Sequence, residues 1–294
     1  MNKQIKQICQ EISCEDILNK KFYPVWLFTN ERIGYFFPEL ESQKGIKKVF
    51  SIGGGGDFAL SLLSTSKLNE LDEINICDKA QMANISIDLK LAIFKKFKYK
   101  EMLNSFLNRN TLNKELVYSI IKKEITPLSR KILDFILVNR KEGNFLKCLN
   151  KSGLWYKESF RAVKNKAEYL PYLVSEERYQ LMQNNLGKIT IYCGDFNDNL
   201  RLFKDSYYDL IYASNVLDSK EYCQNPNLYL QTIKEKLSRD GLLFVITQDS
   251  NKIIELIERQ RFFIYEKQLH KFDMISSLLG HYSYSFLLFK KNEF

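Results

Sequence analysis

VFSIGGGGD, residues 49–57, is the stretch that decides the fold of this chain. The short run before the glycines predicts a buried strand, and the residues after Asp57 predict a helix. The next predicted strand covers residues 73–77 and stops at Asp78. Glycine accepts positive φ and has no Cβ, so such a turn can bring its N–H groups close to a ligand. A strand-turn-helix-strand unit of this layout is typical of nucleotide-binding folds.

The glycine turn matches the dinucleotide-binding pattern G-x-G-x-x-G only in part. When the pattern is counted from Gly53 and Gly55, Phe58 takes the place of the third small residue. Asp57 also puts a carboxylate where a pyrophosphate would lie, and like charges repel at that range. A ligand with an ammonium and a sulfonium and no phosphate, S-adenosylmethionine, fits better. The alternative interpretation of Asp57 is an ordinary helix N-cap, and both roles can hold together.

Polar residues follow the other predicted strands. Asp78 comes roughly 20 residues after the turn, where such folds keep the acid that binds ribose hydroxyls; the alternative is a solvated acid. Asp195 follows the third strand and is predicted to accept the adenine amine while Phe196 packs on the ring, unless Asp195 is a plain turn former. Ser214 and Asn215 are predicted to contact the cofactor. The alternative for these two residues and for Asp218 is that they only cap the next helix.

Composition limits the class of protein. The chain has 294 residues of which 45% are hydrophobic, enough for one large core or for a core domain with an insertion. No apolar run approaches the 18 or so residues of a membrane span and the start lacks a signal-peptide region, so a cytoplasmic location is expected. Six cysteines without a C-x-x-C pair and two histidines predict no metal, no structural zinc and no disulfide framework.

The charge balance is basic. A net charge of +9 and a pI near 9.0 are compatible with an anionic partner such as nucleic acid or a phospholipid surface. The lysines are spread along the chain, however, and the densest runs fall in predicted helices, where a solvated face is the simpler interpretation. A basic surface without a reading element does not predict nucleic-acid binding. The sequence leaves the oligomeric state open.

The order of predicted elements indicates an α/β protein. We predict an N-terminal helical segment over residues 1–45, a Rossmann-like cofactor-binding domain over 46–100 and 186–294, and a helical insertion, or lid, over 101–185. Further strands are predicted at 188–195, 208–215 and 241–247, followed by a pair at 261–268 and 282–290. This order predicts a doubly wound, mostly parallel sheet with an antiparallel C-terminal strand pair and a large helical insertion.

Several of these segments resemble one branch of the S-adenosylmethionine-dependent transferases. The glycine turn with its acid, the strand end at residues 76–78 and the segment 81–92 are similar to the betaine-lipid synthase type, which transfers the 3-amino-3-carboxypropyl group of the cofactor to a diacylglycerol hydroxyl. Residues 153–157, GLWYK, are similar to a GLYYK segment of that branch, and 28–31, FTNE, to its entry segment. Residues 47–91 and 188–247 carry the resemblance, which implies S-adenosylmethionine as cofactor and a small-molecule or lipid acceptor.

The predicted function is therefore transfer of the 3-amino-3-carboxypropyl group to a hydroxyl or amine acceptor, with Gly53, Gly54 and Gly55 in contact with the cofactor. An oxygen or nitrogen acceptor loses a proton in this reaction, so a base is needed. The candidates are Asp218, Glu31 and Tyr156, and no motif separates them.

Three alternatives remain at this stage. The first is an S-adenosylmethionine-dependent methyltransferase, and the second is a non-catalytic basic module that binds nucleotides or RNA. The third is a dehydrogenase, which Asp57 and Phe58 disfavour.

Overall fold

The structure, a computed structural model, describes most of the chain. The described residues are 6–7, 33–68, 70–107, 114–131, 134, 166–214, 216–219, 222, 224–247, 249–259, 263–276 and 280–291. The chain divides into two compact units. The first contains residues 1–34, 53–66 and 78–194, and the second contains 35–52, 67–77 and 195–294.

Strands and helices are numbered here along the described chain. The strands are β1 (Lys6–Gln7), β2 (Lys48–Ile52), β3 (Glu73–Asp78), β4 (Ile189–Cys193), β5 (Tyr208–Ser214), β6 (Leu237–Thr247), β7 (Phe263–Ser276) and β8 (Gly280–Lys291). The helices are α1 (Ile33–Ser42), α2 (Asp57–Leu62), α3 (Gln81–Lys96), α4 (Tyr99–Leu107), α5 (Lys114–Ile121), α6 (Lys166–Tyr169), α7 (Glu176–Asn185), α8 (Phe196–Arg201), α9 (Pro226–Lys236) and α10 (Ser250–Arg259).

The second unit contains a mixed sheet of six strands in the order β3-β2-β5-β6-β8-β7. β3, β2, β5 and β6 are parallel, whereas β8 runs antiparallel to both β6 and β7. The predicted mostly parallel sheet with an antiparallel C-terminal pair is confirmed. The strands that the sequence marked as continuous apolar runs are buried at their centres, as parallel strands covered on both faces require.

Aromatic side chains fill the core of this sheet. Phe36 of α1 packs against Phe244 and Phe286, with ring centroids 4.7 and 4.3 Å away. Phe50 of β2 packs against Tyr208, with centroids 5.3 Å apart. These rings are all buried, so each contributes roughly 1.5–3 kcal/mol of hydrophobic stabilisation.

The register aligns the carboxyl ends of the parallel strands along one edge of the sheet. Ile52 at the end of β2 pairs with Cys77, and Ser51 pairs with Tyr212. The glycine turn begins at the residue after Ile52, and Asp78 is the last residue of β3. The strand ends that the sequence singled out are therefore the ends at which ligands bind in open α/β sheets.

In the first unit, β1 pairs in parallel with β4. Lys6 is the partner of Tyr192, and Gln7 is the partner of Cys193. The prediction of a helical N-terminal segment is thus wrong at these two residues. The periodicity of a short segment does not show whether a strand far along the chain offers an edge for pairing. Pairing with such an edge overrides helix propensity.

The described helices from the predicted insertion lie in the first unit, where α7 and the 3-10 turn Pro171–Leu173 pack against α3. Phe94 of α3 makes edge contacts with Tyr172 and Tyr179, whose ring centroids lie 5.5 and 5.9 Å away. The Tyr179 hydroxyl donates to the Phe97 carbonyl at 2.7 Å. That residues 101–185 act as a lid stays a prediction.

The cysteines differ from the expectation. Cys77 is buried, and Cys193 is disulfide-bonded. The sequence predicted no disulfide framework and did not indicate this single bond, because spacing along the chain does not show which distant thiols come within bonding distance. Within the described ranges, no three or more histidine, cysteine or acidic side chains are grouped to hold a metal ion. None of the described helices is both long and apolar enough to cross a bilayer.

Candidate functional site

The glycine turn forms a tight bend between β2 and α2. The Gly56 N–H donates to the Gly53 carbonyl at 2.7 Å. Gly54 and Gly56 both have left-handed backbones, with φ of 47° and 75°. A Cβ on Gly56 would meet Ile87 at 3.2 Å, so this glycine permits close packing of α3. A Cβ on Gly54 would meet no atom of the described residues within 4 Å, and Gly54 is exposed. The outer side of the bend is therefore open.

Asp78 joins the end of β3 to this bend. Its Oδ2 accepts the Gly54 N–H at 3.1 Å, and its Oδ1 accepts the Ala80 N–H at 2.8 Å. The Asp78 carbonyl accepts the Gly194 N–H at 3.0 Å and the Asn84 amide at 2.8 Å. Burial raises the pKa of Asp78 above its usual range, while the N–H groups of Ala80 and Gly54 oppose the rise. A predicted ribose-binding acid thus lies directly on the glycine turn.

Asp57 is the first residue of α2, and its carboxylate is fully buried in an ion pair. Lys90 donates to Asp57 Oδ1 at 2.8 Å, and the side chains are 1% and 0% exposed. The Tyr172 hydroxyl donates to the same oxygen at 2.5 Å. Lys90 also donates to the Gly55 carbonyl at 2.5 Å. We call Asp57, Lys90 and Tyr172 the buried triad.

The buried triad affects three expectations about Asp57. The N-cap interpretation is wrong, because Gly56 holds the N-cap position and Asp57 is already the first residue of the helix. A role facing the methionyl ammonium stays a prediction, but the Asp57 charge is already balanced by Lys90. The argument that Asp57 repels a pyrophosphate is weaker for the same reason.

Burial shifts the pKa values of the other two members of the buried triad. Loss of solvent lowers the pKa of Lys90, and the Asp57 carboxylate opposes this shift by favouring the ammonium. Burial also raises the pKa of Tyr172 well above its usual range, and the nearby Asp57 charge raises it further. Tyr172 therefore stays a neutral hydrogen-bond donor.

Sequence reasoning missed the roles of Lys90 and Tyr172. A signal for Lys90 was present: it lies one helical turn after Ile87 and one turn before Phe94, so it falls on the apolar face of α3. A lysine on such a face needs a buried anion as partner. No pattern signals Tyr172, because its partner Asp57 is 115 residues away in the sequence.

The second unit contains the other described candidates. Asp195 is the N-cap of α8, and its Oδ1 accepts the N–H groups of Asn197 and Asp198. Phe196 is buried, with its ring packed edge-on against Phe50 at 5.2 Å between centroids. The structure thus gives both residues structural roles, and their contacts with adenine stay predictions.

Ser214 is the last residue of β5, and Asp218 comes four residues later. Ser214 has a left-handed backbone with φ of 46°, a conformation that costs a non-glycine residue about 1–3 kcal/mol and that is often found at functional sites. The Asp218 carboxylate accepts the Thr247 hydroxyl at 2.7 Å, at the end of β6. Asp218 is only partly buried, so it remains a candidate base. The candidates Glu31, Tyr156 and Asn215 lie outside the described residues.

Comparison with known proteins gives similarity at the level of solved structures. The chain is similar to spermidine synthase from Thermotoga maritima, with 13% identity and a TM-score of 0.36; the match covers 88% of this chain and 56% of that one. It is also similar to the N-methyltransferase NodS from Bradyrhizobium japonicum WM9 in complex with S-adenosyl-L-homocysteine, with 9% identity and a TM-score of 0.43. That match covers 88% of this chain and 86% of NodS. A third similar structure is a putative methyltransferase from Bacillus halodurans C-125, with 7% identity and a TM-score of 0.41. That match covers 87% of this chain and 97% of the other.

No protein-family model and no curated protein matches the sequence. Identities and TM-scores this low say nothing about function, which has to be inferred from the residues of this chain.

The geometry of the first unit defines what the site can bind. It offers an exposed glycine with open space beside it and a carboxylate whose oxygens each accept one backbone N–H. A carboxylate oxygen has a second acceptor position, so Asp78 can also accept hydroxyl groups from a ligand. The combination suits a nucleoside whose ribose hydroxyls donate to Asp78 while the rest of the molecule passes over Gly54.

Proposed function

We propose that the protein is an S-adenosylmethionine-dependent transferase that moves the 3-amino-3-carboxypropyl group to a hydroxyl or amine acceptor. The observation that carries the proposal is the open Gly54 backbone with the Asp78 carboxylate on its N–H, 3.1 Å away. The resemblance of residues 47–91 to the aminocarboxypropyl-transferring branch supports this group over the methyl group.

Asp78 also favours a nucleoside without phosphates. In a dinucleotide site, the N–H groups of the glycine turn and of the following helix face the pyrophosphate. Here the Gly54 N–H donates to a carboxylate, so a phosphate at this position would approach a like charge. The Asp57 carboxylate at the start of α2 is paired with Lys90, so the repulsion comes from Asp78. A cationic ligand avoids this repulsion, and S-adenosylmethionine carries positive charge at its sulfonium and ammonium groups.

The chemistry that S-adenosylmethionine supplies is an activated carbon next to a sulfonium leaving group. The chain has to hold the ribose, align the acceptor and exclude water. Asp78 serves the first of these tasks. The acceptor proton passes to a carboxylate or another base, for which Asp218 is the described candidate and Glu31 and Tyr156 are the others. The Thr247 hydroxyl bond fixes the orientation of the Asp218 carboxylate.

Product analysis tests the proposal. The purified protein is incubated with S-adenosylmethionine and either a diacylglycerol or a set of amines, and the nucleoside product is identified by mass spectrometry. Methylthioadenosine is the expected product, because it remains when the aminocarboxypropyl group leaves. S-Adenosylhomocysteine would instead identify a methyltransferase. Calorimetry supplies an independent test: absence of S-adenosylmethionine binding would contradict the whole proposal.

A further inference from the structure

We infer that Lys90 and Tyr172 are positioning residues for the glycine turn, and that cofactor affinity depends on them although neither is open to the ligand. The inference rests on the proposed function, since it assigns residues that prepare the same site. It concerns the buried triad, which lies entirely within the first unit.

Hydrogen bonds hold the first and the last peptide group of the glycine turn. The peptide between Gly53 and Gly54 is held by Asp78 at its N–H. The peptide between Gly55 and Gly56 is held by Lys90 at its carbonyl, at 2.5 Å, and by the Gly53 carbonyl at its N–H, at 2.7 Å. Four consecutive glycines lose more backbone entropy on ordering than any other residues would. Contacts that hold the turn before the ligand arrives therefore reduce the cost of binding.

Tyr172 acts on the turn through Asp57. Its hydroxyl and the Lys90 ammonium donate to the same oxygen, Asp57 Oδ1, at 2.5 and 2.8 Å. Tyr172 thus fixes the carboxylate that in turn fixes Lys90 beneath Gly55. The tyrosine belongs to the 3-10 turn Pro171–Leu173, so the connection links this segment to the glycine turn.

Tyr179 supplies a matched control for Tyr172. Both tyrosines are buried, both contact Phe94, and each donates a hydroxyl hydrogen bond. The Tyr179 hydroxyl donates to the Phe97 carbonyl at 2.7 Å, however, and not to Asp57. Replacement of either residue by phenylalanine removes one buried hydroxyl, but only Tyr172→Phe removes a contact that leads to the glycine turn.

The experiment compares Tyr172→Phe with Tyr179→Phe by calorimetry against S-adenosylmethionine, thermal unfolding and amide hydrogen exchange. We expect both variants to unfold at lower temperature. Tyr172→Phe should weaken binding by roughly tenfold, equivalent to about 1.4 kcal/mol, and should speed exchange of the Gly56 N–H. Tyr179→Phe should change neither the affinity nor that exchange rate. Equal affinities and equal Gly56 exchange in the two variants would overturn the inference.

The role of Lys90 is tested with a double variant, because replacing Lys90 alone would leave the buried Asp57 carboxylate unpaired. Lys90→Met alone leaves Asp57 without its cation, which is strongly destabilising, whereas Lys90→Met with Asp57→Asn removes both charges. We expect the double variant to fold, to exchange the Gly56 N–H faster and to bind S-adenosylmethionine more weakly by tenfold or more. Wild-type exchange and affinity in the double variant would refute the role of Lys90.

The two readouts separate this inference from the proposed function. If the wild-type protein does not bind S-adenosylmethionine, the proposed function fails and the claim about cofactor affinity fails with it. The exchange of the Gly56 N–H still reports whether the buried triad holds the turn. If the wild-type protein binds and the variants bind equally well, only the inference fails.

Discussion

The open space beside Gly54 allows a direct test of where the cofactor lies. Gly54→Asn adds a side chain on the exposed outer side of the bend, where a Cβ meets no atom within 4 Å in the described part of the chain. Asparagine tolerates the left-handed backbone better than other non-glycine residues. The variant should therefore fold while its side chain fills the space that the ligand needs.

Gly45 is a matched control for this substitution. It too is exposed and left-handed, with φ of 76°, and a Cβ on it also meets none of the described residues within 4 Å. It precedes β2 and is not part of the glycine turn. A left-handed backbone costs an L-residue roughly 1–2 kcal/mol, less for asparagine, so Gly45→Asn and Gly54→Asn should lose similar and small amounts of unfolding free energy.

The assay is calorimetric titration of both variants with S-adenosylmethionine, with unfolding free energies from urea denaturation as the measure of strain. We expect Gly54→Asn to lose about 100-fold or more in affinity, which corresponds to about 2.7 kcal/mol, and Gly45→Asn to bind as the wild type does. Wild-type affinity in Gly54→Asn would refute the reasoning, because the cofactor would then not pass over the glycine turn. Equal losses in both variants would show that strain, and not occupancy of the site, is the cause.

Three further predictions test other parts of the chain. Asp78→Asn should weaken binding of both S-adenosylmethionine and adenosine by roughly 10–100-fold in calorimetry, because hydrogen bonds to charged acceptors contribute about 1.5–3 kcal/mol. Unchanged adenosine affinity would exclude a contact between Asp78 and the ribose. Asp218→Asn should lower turnover by about 100-fold or more, the usual contribution of a general base, without a change in cofactor affinity, and equal turnover would leave Glu31 or Tyr156 as the base. Hydrogen bonds from Lys95 and Lys96 lower the pKa of Glu124 from 4.5 to about 2. The contribution of Glu124 to stability is therefore complete above pH 4.5 and is lost as the pH falls towards 2. In urea titrations, the stability difference between wild type and Glu124→Gln, below about 1 kcal/mol for this partly exposed group, should vanish over that range, and a constant difference would contradict the assignment.

Much of the fold could be predicted from the sequence because its signals are local. The apolar runs at β2, β3, β5 and β6, the glycine turn and the helices between them each follow from periodicity within a few residues. The antiparallel pair β7 and β8 was predicted in the same way, although both strands are longer than expected. β1 was not predicted, because its two residues are ordered by pairing with β4, more than 180 residues later in the chain.

The same distinction between local signals and long-range contacts applies to the candidate site. The sequence by itself determined which residues follow the strand ends, and thereby placed Asp78 beside the glycine turn, because parallel strands in register bring their carboxyl ends to one edge. Only the tertiary structure decided the role of Asp57, whose carboxylate is paired with Lys90 and Tyr172 and not left to attract a ligand. The physical reason is that the electrostatic effect of a charge depends on its partners and its burial, and both are set by segments that meet only when the chain folds.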